Sequence, residues 1–254
     1  PWHLEAYGKT TVNYNRDIEI FPVLDAIFKG IYGTNPYKSP TDMGVNMAGY
    51  CIFDDEACCS ASKQEIIRRY YAALNNLAEG NGTEDEVLKI ELLMQQAKIT
   101  TADRKVIEKA KQRSKNPEIP TAAIELEDGT IITSETSDLL GTSAALLLNA
   151  AKYLANIDHK VKLITKNMIE PIQKMKVSYL RGNNPRLHTD EVLVALAMLS
   201  NTDENCRRAL EQLPKLAGCQ VHTTVMLSEV DKKIFKKLGV DVTSEPIRKK
   251  SKSL

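Results

Sequence analysis

Three things are missing from this sequence, and each removes a class of protein. No window approaches the length of a membrane span, and no secretory apolar segment opens the residues present. The five cysteines, Cys51, Cys58, Cys59, Cys206 and Cys219, are odd in number and nowhere spaced Cys-x-x-Cys. Free thiols in a reducing, cytoplasmic compartment fit that set best. An excess of one charge is missing too: 34 Lys and Arg face 33 Asp and Glu over 254 residues. That balance gives no general reason to expect nucleic acid or a membrane surface as partner. The exception is the run Arg248-Lys249-Lys250-Ser251-Lys252, read as part of a flexible tail over 245–254.

The common catalytic signatures are absent as well. There is no Gly-rich phosphate loop ending in Gly-Lys-Ser/Thr, no dinucleotide fingerprint and no nucleophile elbow. Gly8-Lys9-Thr10 lacks the upstream glycine and strand that would make it a phosphate loop. No internal repeat or low-complexity tract appears.

What is present is an ordinary globular composition, 43% hydrophobic and 26% charged, long enough for two modest cores. Residues 1–117 read as mostly helical, broken by a long polar loop over 34–53. Ile20, Val23, Leu24, Ile27, Phe28 and Ile31 recur at helical spacing, with Asp17 as the expected cap. Ile66, Ile67, Tyr70, Tyr71, Leu74 and Leu77 make a second stripe, and Thr83 with Glu86 a capping box for a third helix. A fourth helix is expected over 101–114, before Asn116-Pro117 breaks it.

From 118 to 254 the pattern changes to an α/β domain with a mixed sheet. Ala122–Leu126 and Thr130–Thr133 flank Glu127-Asp128-Gly129, a hairpin signal. A helix over 142–155, a strand over 161–165 and helices near 167–179, 190–199 and 203–213 follow, Thr189 capping the second of these three. A strand over 220–227, a helix over 230–238 and a strand over 240–243 close the series. The fold class is α/β (α+β overall): a helical segment, then three α/β/α layers. The element order is similar to the cytidine-deaminase-like fold, without its zinc motif. Zinc deamination needs a His or Cys two residues before a Glu on the first helix, and later a Cys pair. Here that helix reads Gly141-Thr142-Ser143-Ala144-Ala145-Leu146, so no metal site is expected.

Candidate chemistry falls in two polar segments. Lys9, Asn13, Asn15 and Arg16 suit an anion, against the bland reading of a solvated lead-in to the first helix. In the long loop, Asp42 and Asn46 offer oxygen ligands or general-base chemistry, Lys38 can hold an anion, and Thr41 shapes the loop. Long loops anchored by apolar residues often carry function. Asp42 and His3 are the catalytic candidates. His3 and His222 each fit a general base or a satisfied structural histidine, the latter carrying more weight. His159 reads as exposed in a turn, and His188 as helping a helix start.

His3-Leu4-Glu5-Ala6-Tyr7-Gly8-Lys9-Thr10, Tyr37-Lys38-Ser39-Pro40-Thr41-Asp42-Met43-Gly44-Val45-Asn46 and Lys63-Gln64-Glu65-Ile66-Ile67-Arg68-Arg69-Tyr70 carry a further signal. With Ala122–Leu126 and Asp128-Gly129-Thr130 they resemble a bacterial family catalogued as domain of unknown function eighteen forty-six. The resemblance covers essentially the whole chain and implies members about twice as long, this chain matching their C-terminal half. The opening Pro1-Trp2, without an initiator Met, fits a chain that begins mid-protein or an artefact of preparation. In the family the other half resembles an α/β domain with a phosphate loop. The resemblance therefore implies ATP or another nucleotide bound through that N-terminal half, with no cofactor held by this chain. Some members bear an ATP-dependent peptidase label that no protease motif here supports. The expected function is the C-terminal part of a nucleotide- or phosphometabolite-binding cytosolic protein, an enzyme in one reading. Its expected partners are its own N-terminal half and further copies of itself. The competing readings are an oligomerisation module without catalysis and a zinc-independent transferase on a deaminase-like fold.

Overall fold

A computed structural model of the chain describes residues 14–34, 55–113, 116 and 118–247, with backbone alone at 14–22 and 55–59. The chain divides into two compact units. The first comprises residues 1–73 and 82–103, the second 74–81 and 104–254.

Within the first unit, α1 (Tyr14–Tyr32) begins before Asp17. Asp17 therefore sits inside the helix, not at its cap. Of the expected stripe, Leu24 and Phe28 are half-buried while Val23, Ile27 and Ile31 are exposed. Helix α2 (Asp55–Glu79) buries Ile66, Ile67 and Tyr71. Helix α3 (Glu84–Ala97) opens with the capping box the sequence predicts: Thr83 Oγ1 accepts from Glu86 N, and Thr83 N donates to Glu86 Oε2, each at 3.3 Å. The box satisfies two otherwise orphaned helix-end donors.

The second unit is built on a four-stranded sheet of order β2-β1-β3-β4. The strands are β1 (Thr121–Glu125), β2 (Ile131–Glu135), β3 (Gln220–Thr223) and β4 (Asp241–Ser244). β1 runs antiparallel to both neighbours, Ala123 opposite Thr133 and His222, and β3 and β4 are parallel. The predicted hairpin is present. Gly129 takes φ +79°, which glycine adopts without strain, and Asp128 Oδ1 accepts from Thr130 N at 2.9 Å.

Alternation along β1 sends side chains to two faces. Ala123 packs with Val106 and Ala110 of α4 (Lys105–Arg113). Ala122 and Ile124 pack on the opposite face with Leu146, Leu147 and Ala150 of α5 (Thr142–Leu154) and Phe235 of α9 (Glu229–Lys237). A second cluster joins α5 to α6 (Lys166–Lys174), α7 (Thr189–Leu199) and α8 (Glu204–Leu210) through Leu148, Ile169, Val192, Leu196 and Ala209.

Three expectations change here. The predicted strand at 161–165 is irregular backbone: Leu163 and Ile164 are buried among these helices, and Leu163 O accepts from Cys206 Sγ. Its apolar run marks burial by helices, which short runs cannot distinguish from strand pairing. The helix expected over 101–114 is a 3₁₀ turn, Thr101–Asp103, followed by α4. The helix expected over 167–179 changes, after α6, into a π-turn over Met175–Tyr179. Pro171 inside α6 cannot donate its hydrogen bond, and such sites disturb the regular ladder.

Arg104 is buried and ties two strands together on the α4 face. It donates to Val221 O and Asp241 O at 3.0 and 2.8 Å, to Thr243 Oγ1 at 3.1 Å, and to Gln220 Oε1. Arg104→Met removes the donors and leaves those buried carbonyls short of partners. We expect a loss of about 3 kcal/mol, read as a lower urea midpoint at unchanged slope. A loss below about 1 kcal/mol would show that the sheet does not depend on this side chain.

Candidate functional site

The sequence-predicted residues His3, Lys9, Asn13, Lys38, Thr41, Asp42 and Asn46 lie outside the described residues. Asn15 and Arg16 fall in the first turn of α1, where side chains are likewise outside them. The site that can be built from described residues lies elsewhere, in the second unit.

Strands β2, β3 and β4 point the same way, so helices leaving β2 and β3 begin beyond one edge of the sheet. In open α/β sheets that edge is where ligands bind. The starts of α5, α7 and α9 are hydrogen-bonded together there. Gly141 N, at the start of α5, donates to Leu187 O at 3.1 Å, and Leu187 N donates to Leu139 O at 3.0 Å. Thr189 N and Oγ1, at the start of α7, donate to Asp231 Oδ1 at 3.1 and 2.8 Å. Ser228 caps α9 by accepting from Asp231 N at 3.2 Å. Two helix N-termini, those of α7 and α9, thus meet at one carboxylate, and the start of α5 adjoins them through Leu187.

His188 stands at the rim of this cluster as the residue preceding α7. Thr189, the expected cap, is instead the first helical residue, and its hydroxyl is spent on Asp231. His188 N donates to Glu191 Oε2 at 2.8 Å, and Lys176 Nζ reaches the same oxygen at 2.7 Å. The imidazole Nδ1 lies 3.3 Å from Asp231 Oδ2, and Nε2 lies 3.1 Å from Asn184 Nδ2. With Nδ1–H donated to the carboxylate, Nε2 is left to accept from the Asn184 amide. The ring is 30% exposed and Asp231 only 10%.

This arrangement is a His–Asp dyad and not a serine nucleophile. Ser228 Oγ donates to Asp231 Oδ2 at 2.8 Å and meets His188 on Nδ1, at 3.4 Å. An activated serine would stand on the nitrogen opposite the carboxylate. What the dyad can do is accept or deliver a proton at Nε2 once Asn184 is displaced. Burial works against charge on Asp231, but hydrogen bonds from His188, Ser228 and Thr189 outweigh it and hold its carboxyl below the ordinary value.

Of the other histidines among the described residues, one is solvated and one structural. His159 is exposed, as expected. His222 is fully buried on the α4 face, with Nδ1 2.9 Å from Thr243 Oγ1 and Nε2 3.4 Å from Glu245 Oε1. Burial, with opposing help from Glu245, pushes its pKa down. Glu245 is itself buried enough to resist charging, yet His222 and Lys111, whose Nζ is 2.7 Å away, bring its pKa down to about 2. Sequence reasoning missed Asp231, Ser228 and Asn184. Ser228-x-x-Asp231 after a strand was the available signal, a Ser/Thr-x-x-acid helix start.

A mixed α/β protein with a polar, helix-terminus site is the class these features define. Residues 1–98 match the family model described as Domain of unknown function DUF1846, N-terminal, and residues 102–253 the one described as Domain of unknown function DUF1846, C-terminal. The chain belongs to the DUF1846 family. It is 51% identical over 246 residues to UPF0371 protein cu0538 of Corynebacterium urealyticum, covering 97% of this chain and 50% of that protein. It is 52% identical over 251 residues to UPF0371 protein DIP2346 of Corynebacterium diphtheriae, covering 99% and 50%. A UPF0371 protein of Streptococcus pneumoniae is 49% identical over 246 residues, covering 97% and 50%. The chain spans about half the length of these relatives. The expectation that it holds only the family's C-terminal half is corrected, because the N-terminal model matches residues 1–98 as well.

A carboxyl with a depressed folded pKa stabilises the fold above its unfolded value and loses that contribution as pH falls through the folded one. Glu245 therefore contributes fully above pH 4.5 and loses its contribution as the pH falls toward 2. Glu245→Gln should flatten the fall in stability between those pH values, measured by urea melts at stepped pH. An unchanged acid limb would contradict the assignment.

Proposed function

We propose that this chain contributes acid–base chemistry to a cytoplasmic nucleotide- or phosphometabolite-binding enzyme, with His188 as the proton-transfer group. The observation that carries this reading is the His188–Asp231 dyad. One ring nitrogen is fixed by a carboxylate that also takes donors from Ser228 and Thr189, and the other faces outward to a displaceable amide. A carboxylate so placed fixes the imidazole tautomer and steadies the imidazolium after proton uptake. The start of α5, which has no side-chain cap and is bonded to Leu187 next to His188, favours a ligand with negative charge.

The anion contacts proposed on the first unit are Lys9, Asn13, Asn15, Arg16 and Lys38, with Thr41, Asp42 and Asn46 shaping that segment. No helix among the described residues is long and apolar enough to cross a membrane, and Cys206 and Cys219 are free, buried thiols. Both facts support the cytoplasmic part of the proposal. A transferase on a deaminase-like framework is a narrower version of the same reading. The order β2-β1-β3-β4, with β1 alone reversed, supports it.

The test is binding and turnover of a panel of nucleotides and sugar phosphates by a full-length family member carrying this chain. At least one phosphorylated compound should bind and be converted. His188→Ala should then lower turnover by roughly 10²- to 10⁴-fold, the usual range for losing a general acid or base, with little change in affinity. A panel without a single binder, or full turnover by the variant, would sink the proposal.

A further inference from the structure

The start of α5 is built differently from its neighbours. Asp231 accepts from the first residue of α7, Asp203 caps α8 and Ser228 caps α9, each through a side-chain oxygen. Helix α5 opens instead on Gly141, which has no side chain to offer. The N–H groups of Thr142, Ser143 and Ala144 come before the first helical bond, from Ala145 N to Gly141 O at 3.0 Å. Among the described residues no side chain or carbonyl accepts from any of the three. All three residues are buried. Buried backbone donors are normally paired, so three together at one helix end call for an acceptor from outside the chain.

Ser143 is a second and independent sign. It lies one turn before Leu146 and Leu147, which pack with Ala122 and Ile124, so it shares the sheet-facing side of α5. Helical side chains tilt toward the N-terminus, which aims its hydroxyl at the end where the free donors stand. Ser143 is only 3% exposed, yet its hydroxyl has no partner among the described residues and is not sealed from solvent. The neighbouring hydroxyls are engaged: Ser134 Oγ donates to Thr142 O at 2.8 Å and lies 3.2 Å from Thr142 Oγ1. Gly141 N bonds Leu187 O, so these donors adjoin the residue before His188. Arg186 Nε donates to Ser137 O at 2.6 Å, which brings a full positive charge to the loop entering α5.

We propose that the start of α5 is a phosphoryl subsite, where the N–H groups of Thr142, Ser143 and Ala144 and the Ser143 hydroxyl hold the terminal oxygens of a phosphate monoester. Four donors exceed what the two oxygens of a carboxylate use well, whereas a phosphoryl group brings three strong acceptors. The positive end of the helix favours its charge. This subsite deepens the phosphometabolite reading above, on which it rests, by fixing where the phosphoryl group lies. The bond from Gly141 to Leu187 sets the rest of the ligand on the side of the His188 ring.

The experiment is calorimetric titration of the purified chain with inorganic phosphate, with acetate and chloride at matched ionic strength as controls and thermal unfolding to check each variant. Phosphate should bind one site with a dissociation constant on the order of 1 mM or below. Acetate should bind roughly tenfold more weakly, the cost of a lost charge-assisted bond. Ser143→Ala should weaken phosphate by about the same factor. Gly141→Asp supplies the missing cap from within the chain. Its backbone, φ −66° and ψ 157°, suits a capping residue, and an added Cβ stands 3.5 Å from Leu187 O, an ordinary contact. The variant should lose phosphate binding while its melting temperature rises by about 2–4 °C. A chain that takes up no phosphate, or takes it up equally well with Asp at 141, would overturn the proposal. Acetate binding as tightly as phosphate would overturn it too. If phosphorylated compounds bind a full-length family member with an affinity that Gly141→Asp leaves unchanged, the subsite falls and the acid–base reading stands. If phosphate binding is lost with Gly141→Asp but His188→Ala keeps full turnover, the subsite stands and the acid–base reading falls.

Discussion

The second unit turns on the carboxylate of Asp231. It is nearly buried, and it accepts from the backbone and hydroxyl of Thr189, from the hydroxyl of Ser228 and from the His188 ring. A buried charge is tolerated only when such donors replace its water. Here the donors come from two helices whose positive ends meet, so satisfying the charge fixes α7 against α9 at a defined point. The same bonds set the orientation of His188. Holding the helices and holding the imidazole are thus one interaction, and the proposed chemistry inherits its rigidity from the packing.

The segment leading into His188 shows the opposite character. After α6 the chain widens into the π-turn, Arg181 takes a left-handed φ of +55°, and Gly182 N closes the turn on Lys176 O at 2.8 Å. A Cβ on Gly182 would stand 3.0 Å from that carbonyl, so a larger residue there would push the turn apart by a few tenths of an ångström. These departures bring Lys176 to Glu191 and deliver Asn184 to the His188 ring. Irregular turns of this kind gather at functional sites because regular helix cannot aim side chains so closely. Glu191, which accepts from His188 N, also lines an apolar groove beside α7.

Much of the framework was legible from local chemistry. Thr83 and Glu86 specify their capping box, and Asp128-Gly129 its turn, because both depend on neighbours within four residues. The Ala- and Leu-rich run over 142–155 announced the helix α5. Leu163 and Ile164 misled, since a short apolar run reports burial without saying whether strands or helices cover it. Arg104, an unremarked basic residue in sequence, became a buried tie between β3 and β4 once a helix break placed it beneath carbonyls more than a hundred residues away.

The candidate site divides along the same line. The sequence by itself determined family membership, the hairpin, most helices and the exclusion of the familiar motif-based chemistries, since these rest on composition, spacing and local bonds. Only the tertiary structure joined His188 to Asp231, 43 positions apart, and brought Met168 and Met198 to the lining of one groove. Side chains so distant in the chain meet only when the sheet edge and helix packing bring them together. No periodicity or propensity carries that information, because each partner's own neighbourhood is ordinary.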